Sequence, residues 1–460
     1  MGVHSITIMN KIDKGVDSQP YSLAGASLGM FAALCVIFPN LAVAGLGLGI
    51  VPFVLLAVVV YATVAVSSRP LFELDGRIVT AIGLYLLFCM AMLAGFIANE
   101  DVGAKAIHYL ASLASNIIWV LILVMLFQRQ PAFFMSFMCF FAGVVILFVA
   151  IQWLYLLLQL KDVFFLRTET TALAQGLYGV IANPNTVARL LITLLPLLYF
   201  YNMRSKLLGR FGYMPGLGMV IVSVLVISTL SRANLVALGL FFLFAWVLRR
   251  EPSKESRSIW IAILLIGTPL ALLALPVLIE RMDKTIYMFE RTYRIVVDGE
   301  GGLIPIRFRT WLATMGIISD HPLFGVGISR ISDFQFEYGA VKYGANGAQK
   351  AIAVHSGFLK IAAYGGMVSL ACLLIFFVRI WTATKKIVAD DEARKSHQGC
   401  AAISLLLLLI VMVPMNIGAD SFGQPYTWIV LASLMALAFS PDRHCPMNSN
   451  GNANIGQGNE

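Results

Sequence analysis

Apolar runs of roughly 20 residues, each long enough to cross a hydrocarbon core of about 30 Å as a helix, recur along most of this 460-residue chain. In lipid every main-chain donor and acceptor has to be met within the chain, so only helices and closed barrels can cross. The alternating pattern of a barrel strand is absent from the sequence, and the fold class expected is all-α. Composition agrees: 59% of residues are hydrophobic and 12% are charged. A water-soluble fold could not cover that much apolar surface, so the chain reads as an integral membrane protein.

Spans are expected near 22–38, 41–66, 78–98, 106–127, 133–159, 181–201, 215–230, 233–248, 258–280, 355–380, 400–418 and 424–440, a polytopic arrangement of about twelve transmembrane helices. An even number puts both termini on one side, and the bias of Lys and Arg toward short cytoplasmic loops says which. With cytoplasmic termini the inner loops collect clusters such as Arg249, Arg250, Lys254 and Arg257, whereas the short outer loops hold Lys105, Lys161, Arg167 and Arg232. The net charge of +9 is therefore a topology signal. The basic residues form no run with interleaved aromatics, so nucleic acid is not an expected partner. Five of the six cysteines (Cys35, Cys89, Cys139, Cys372 and Cys400) lie in or beside apolar runs without CxxC spacing, which indicates neither a disulfide framework nor a zinc site. No removable signal peptide is evident in the first 20 residues.

The organisation expected is helices 1–9 over residues 1–280, a loop domain over 281–354, helices 10–12 over 355–440 and a disordered, Asn- and Gly-rich cytoplasmic tail over 441–460. The loop is the one long polar interruption. Between Arg281 and Lys350 it holds nine Lys/Arg and seven Asp/Glu. Long loops translocate largely regardless of charge, yet so many basic residues on the outer face call for a role.

Several constellations at that face suit phosphate chemistry. Asn183-Pro184 is an N-cap followed by a first helical residue, and Arg189 lies about 7 Å farther along the axis. A helix N-terminus together with an arginine is what a phosphate site needs; the alternative is that Arg189 snorkels to headgroups or pairs with an acid. Ser231-Arg232-Ala233-Asn234 interrupts a long apolar stretch and marks either a tight turn alone or a turn that lifts Arg232 to the level of Arg189. In the loop, Arg291, Arg294, Arg307 and Arg309 precede Trp311, and arginine favours bidentate grip on phosphate oxygens. Trp311–Ile318 reads as an interfacial amphipathic segment. His321, before a proline, reads as structural. His355 is expected to open an apolar helix, where the dipole disfavours the cationic imidazole and leaves a base available near neutral pH; the alternative is a capping role. The acidic pairs Glu100-Asp101 and Asp298-Gly-Glu300 are turn chemistry rather than a metal site, and no metal or cofactor is expected.

The order of Asn183-Pro184-Asn185 with Arg189, Ser231-Arg232, Arg307-x-x-x-Trp311, His321-Pro-Leu-Phe-Gly-Val-Gly327 and His355 resembles the O-antigen ligase superfamily, over roughly residues 175–370. The family usually shows Asn after the motif histidine, where this chain has Ser356. The resemblance implies a GT-C type glycosyltransferase of the bacterial inner membrane, working at the periplasmic face without a metal. It would move a glycan from undecaprenyl diphosphate to the lipid A-core of lipopolysaccharide, with inversion. The superfamily also includes O-antigen polymerases and protein O-oligosaccharyltransferases. His355 is then the expected base, Arg189 and Arg307 the diphosphate ligands, and Arg291 and Arg232 second candidates. A lipid-linked oligosaccharide flippase is the competing class. Transport needs a polar path across the midplane, whereas Val58–Ala65 and Leu405–Val413 carry no charge.

Overall fold

Helices that are apolar on every side have no soluble face, so they pack either against one another or against lipid. A computed structural model describes residues 23–37, 75–101, 103–129, 131–160, 184–204, 212–229, 231–248, 276, 279, 283, 286–295, 306–337, 341–343, 349–351, 354–418 and 420–439. Among these the chain forms α1 (Leu23–Ile37), α2 (Gly76–Ala98), α3 (Ala104–Arg129), α4 (Pro131–Leu160), α5 (Pro184–Met203), α6 (Met214–Ser228) and α7 (Arg232–Val247). After a helical stretch over 286–295 come α8 (Ile306–Asp320), α9 (Ile331–Glu337), α10 (Gly357–Ala389), α11 (Asp391–Lys395), α12 (His397–Gly418) and α13 (Pro425–Phe439). The architecture is that of an all-α polytopic membrane protein. Its one departure among the described residues is a hairpin of three-residue strands, β1 (Val341–Tyr343) and β2 (Gln349–Ala351), paired antiparallel with Val341 opposite Ala351.

Six described helices, α2, α3, α4, α5, α10 and α12, are long and apolar enough to cross a bilayer, and α6, α7 and α13 are shorter apolar helices. The expected spans 41–66 and 258–280, and the tail 441–460, lie outside the described residues. Where helix and expectation overlap, the ends agree within a few residues except at α10. That helix runs past 380 to Ala389, because Lys385 and Lys386 are good helix formers that need no apolar surroundings. The buried centre is α5, α12 and α13, with Leu191, Leu195, Leu405, Leu408, Ile429 and Leu434 fully enclosed.

α1 packs on α4 through Gly25 and Gly29, a small-xxx-small spacing that lets two backbones touch. A Cβ on either glycine would overlap the main-chain carbonyl of Phe133 or Phe137. Gly29→Val should therefore force the helices apart and lower stability by about 1–3 kcal/mol, seen as a fall in melting temperature in detergent. An unchanged melting temperature would mean that α1 does not dock closely there.

α10 is about 50 Å long at 1.5 Å per residue, and it is broken at Gly366 (φ 78, ψ 177). A break inside a bundle frees main-chain groups that lipid cannot satisfy. The turn 321–327 satisfies them. Val326 N donates to the Ala363 carbonyl at 2.8 Å, Gly327 N to the Tyr364 carbonyl at 3.1 Å, and Met367 N to the Pro322 carbonyl at 2.8 Å. Gly325 and Gly327 adopt φ of 64 and 80, which L side chains rarely do. On the other side Gly95 of α2 leaves room for the Phe324 carbonyl, where a Cβ would come within 2.7 Å. Asp101 accepts from Ser329 N at 2.8 Å and pins the end of the turn. The His-Pro-Leu-Phe-Gly-Val-Gly motif is thus the piece of chain that repairs a broken membrane helix.

Candidate active site

One end of the bundle gathers the starts of α3, α5, α7, α10 and α13 and the ends of α2 and α12. Asn234 Nδ2 donates to the Asn185 carbonyl at 3.2 Å and to Ser231 Oγ at 2.8 Å, which joins the first turns of α5 and α7. Ser356 Oγ donates to the Asn416 carbonyl at 3.2 Å and receives Leu359 N at 3.4 Å, joining α10 to the end of α12. Asn416 Oδ1 in turn accepts from Ser421 N at 2.9 Å.

His355 stands one residue before the cap of α10, and Ser356, with φ −152 and ψ 124, is the N-cap itself. The sequence reading has the histidine opening the helix. The structure moves it one place outward, because serine is the better cap. This gives the Ser at the family's usual Asn position a structural reason: both side chains cap a helix start. His355 keeps an accessible face, yet its imidazole is pushed below its ordinary value of 6.5 by the desolvation of its surroundings, then by the positive charges of Arg307 and Arg189.

Arg189 is buried on the second turn of α5. α5 begins at Pro184 as expected, while Asn183 lies outside the described residues. The Arg189 guanidinium donates to Thr186 Oγ1 at 3.0 Å, to the Asn185 carbonyl at 3.3 Å and to the main-chain oxygen of Asp420. Arg307 is exposed on the first turn of α8. α8 packs on α10 with Thr310, Ala313, Thr314 and Ile317 buried, the i, i+3, i+4, i+7 face of a helix. Leu312 and Met315 are exposed on the opposite side.

Of the four candidate arginines, Arg307 and Arg189 are the two whose charges, after desolvation, lower the pKa of the His355 imidazole. Arg232 is the first residue of α7, two residues before Asn234, which contacts α5. Arg291 is exposed on the stretch 286–295, which reaches α8 through the Phe289 and Phe308 rings, 4.5 Å apart. His321 is a packing residue in the turn, its ring 5.0 Å from Phe334. Asp101 is used by Ser329, and Asp298 and Glu300 lie outside the described residues. No three His, Cys, Asp or Glu side chains converge among the described residues.

Two residues at this end escape the sequence reading. Lys360, in the second turn of α10, donates to Asp420 Oδ2 at 2.6 Å and stands 5.4 and 5.5 Å from the ring centroids of Tyr109 and Tyr364. Asp420 follows α12 and also accepts from Gly423 N at 3.1 Å. Burial pushes its carboxyl up, but Lys360, the Gly423 amide and Arg189 outweigh that and hold it below the ordinary carboxylate value. The available signal was a lone acid between two long apolar runs and a lone lysine five places after the histidine.

The fold is that of a polytopic membrane protein, in which desolvation and then the charges of Arg307 and Arg189, from separate helices, lower the pKa of the His355 imidazole. Residues 217–374, from α6 to the middle of α10, match the family model described as O-antigen ligase, and over that segment the chain is similar to the O-antigen ligase superfamily. The segment includes Arg232, Arg291, Arg307 and His355 but neither Arg189 nor Asp420, which the fold alone brings to the site. No curated protein sequence matches the chain.

Proposed function

We propose that the protein is a glycosyltransferase that moves O-antigen glycan from undecaprenyl diphosphate to the lipid A-core of lipopolysaccharide, inverting and without a metal, at the periplasmic face of the bacterial inner membrane. One observation carries the reading: desolvation and, after it, the charges of Arg307 and Arg189 from separate helices hold the His355 imidazole toward its neutral form. A diphosphate is already a good leaving group, so the enzyme has to hold it, stabilise the charge that develops on it and take a proton from the acceptor hydroxyl. Arg189 and Arg307 bind the diphosphate oxygens, with Arg232 and Arg291 as outer contacts. The His355 ring nitrogen accepts the proton as the hydroxyl oxygen attacks the anomeric carbon and the bond to the diphosphate breaks. Direct displacement inverts that carbon. The opposite end of the bundle carries Arg77, Arg379, Lys385, Lys386 and Arg394, an excess that supports cytoplasmic termini and a periplasmic site.

The test is purified protein, with EDTA present, given lipid-linked glycan and lipid A-core, a pilin-like protein or no acceptor. Growth of the lipid A-core product is the expected result. Product only on the protein, or only a lengthened donor, would make it a protein transferase or a polymerase, and no product with any acceptor would favour the flippase.

The pH dependence has a defined sign. A neutral base works above its pKa, so transfer should fall on the acid side at a pH below the ordinary histidine value. Arg307→Gln removes a positive charge that disfavours the imidazolium, so the His355 pKa rises and the acid limb of log(kcat/KM) moves to higher pH. A limb that stays in place in Arg307→Gln would separate Arg307 from the base.

A further inference from the structure

The Lys360–Asp420 pair is an unusual feature in so apolar a setting. A charged residue inside a transmembrane helix is costly, and a partly buried ion pair is weak evidence for stability, since a hydrophobic pair of similar size commonly does as well or better. The side chains of Lys360 and Asp420 retain 22% and 19% of their accessible surface. What distinguishes Asp420 is that it holds two cations at once. Its carboxylate takes the Lys360 ammonium of α10, and its main-chain oxygen takes the Arg189 guanidinium of α5. The two positive groups, from α10 and α5, are thereby tied to one and the same residue. Tyr109 and Tyr364 hold the ammonium from the sides. Ser421, next in the chain, is tied to Asn416, whose carbonyl receives Ser356 beside His355. The same short loop therefore registers both cations against the imidazole.

We propose that Asp420 is a positioning residue that sets Arg189 and Lys360 as paired cations for a polyprenyl diphosphate, Lys360 being a further phosphate-binding group. The proposal rests on the reading of this end of the bundle as a diphosphate site, and it extends that site to Lys360, inside the segment matched by the family model, and to Asp420, outside it.

The experiment measures equilibrium binding of undecaprenyl diphosphate to the full-length protein in nanodiscs, alongside melting temperature and, with donor and acceptor, KM and kcat. Asp420→Asn keeps the main-chain oxygen and the size but loses the charge, and Lys360→Met keeps the length and loses the ammonium. Each should weaken diphosphate binding and raise the donor KM about tenfold with kcat changed much less. The double variant Lys360→Met with Asp420→Asn no longer buries an unpaired charge, so its melting temperature should return toward that of the parent while diphosphate binding stays weak. Asp420→Glu should recover part of the binding lost in Asp420→Asn. Parent-like binding in the double variant would reduce the pair to a structural one and overturn the proposal, as would parent-like binding in both single variants. His355→Gln separates this inference from the catalytic reading: if it transfers glycan normally while Asp420→Asn binds diphosphate weakly, the base assignment fails and the positioning role stands.

Discussion

His355→Gln is expected to lower glycan transfer by about 10²- to 10⁴-fold, the usual contribution of a positioned general base. Glutamine keeps a polar side chain of similar reach beside the α10 cap but cannot take up a proton. The variant should fold normally, because Ser356 and not His355 caps the helix and Ser356 supplies the hydrogen bond that joins α10 to α12. Donor KM should change little, since diphosphate grip is assigned to Arg189 and Arg307. Initial rates and the melting temperature of the same preparation test this; near-parental kcat in folded protein would remove His355 from the chemistry. The pH profile adds a second reading, because the acid limb seen in the parent should disappear with its base.

Gly366→Val is expected to abolish folded protein rather than activity alone. The backbone there has φ 78 and ψ 177, a region open essentially to glycine and costing about 1–3 kcal/mol for other residues. Strain is the smaller part, because a Cβ would also overlap the main-chain carbonyl of Leu323 and lift the 321–327 turn away from the break. Ala363, Tyr364 and Met367 would then lose their partners inside the bundle, and each such buried group costs about 1–3 kcal/mol. Gly143→Ala is the control. That glycine lies within α4 with open space around its Cα, and alanine is the better helix former by about 1 kcal/mol. Monodisperse yield and melting temperature should collapse in the first variant and hold or rise in the second. Parent-like yield of Gly366→Val would mean that the break is not maintained by backbone geometry.

Much of the helical layout was legible because a membrane span announces itself: apolar length alone decides it. The positions of α2 to α5 follow from run length, and the start of α5 from Pro184. The short helices α6 and α7 follow from the polar interruption at Ser231–Asn234 in a stretch too long for one crossing. The β1–β2 hairpin was not legible, since two three-residue strands leave no periodic signal. Neither was the break in α10, because Gly365-Gly366 in an apolar run reads equally well as close helix packing. The motif before it, Pro322 to Gly327, was recognisable as a pattern, but its purpose lies in hydrogen bonds to residues about 40 positions away.

The candidate site divides in the same way. Arg189, Arg232, Arg291, Arg307 and His355 could be singled out one by one, as polar residues at the ends of apolar runs. The sequence by itself determined that this chain spans a membrane as helices, where most of them run, and which charges stand at their ends, since the cost of burying polar groups in lipid acts residue by residue. Only the tertiary structure decided that Arg189 and Arg307 share the field of His355 and that Asp420 links α5 to α10. Electrostatic coupling falls with distance through space, and distance through space between residues 60 or 231 positions apart is set by packing.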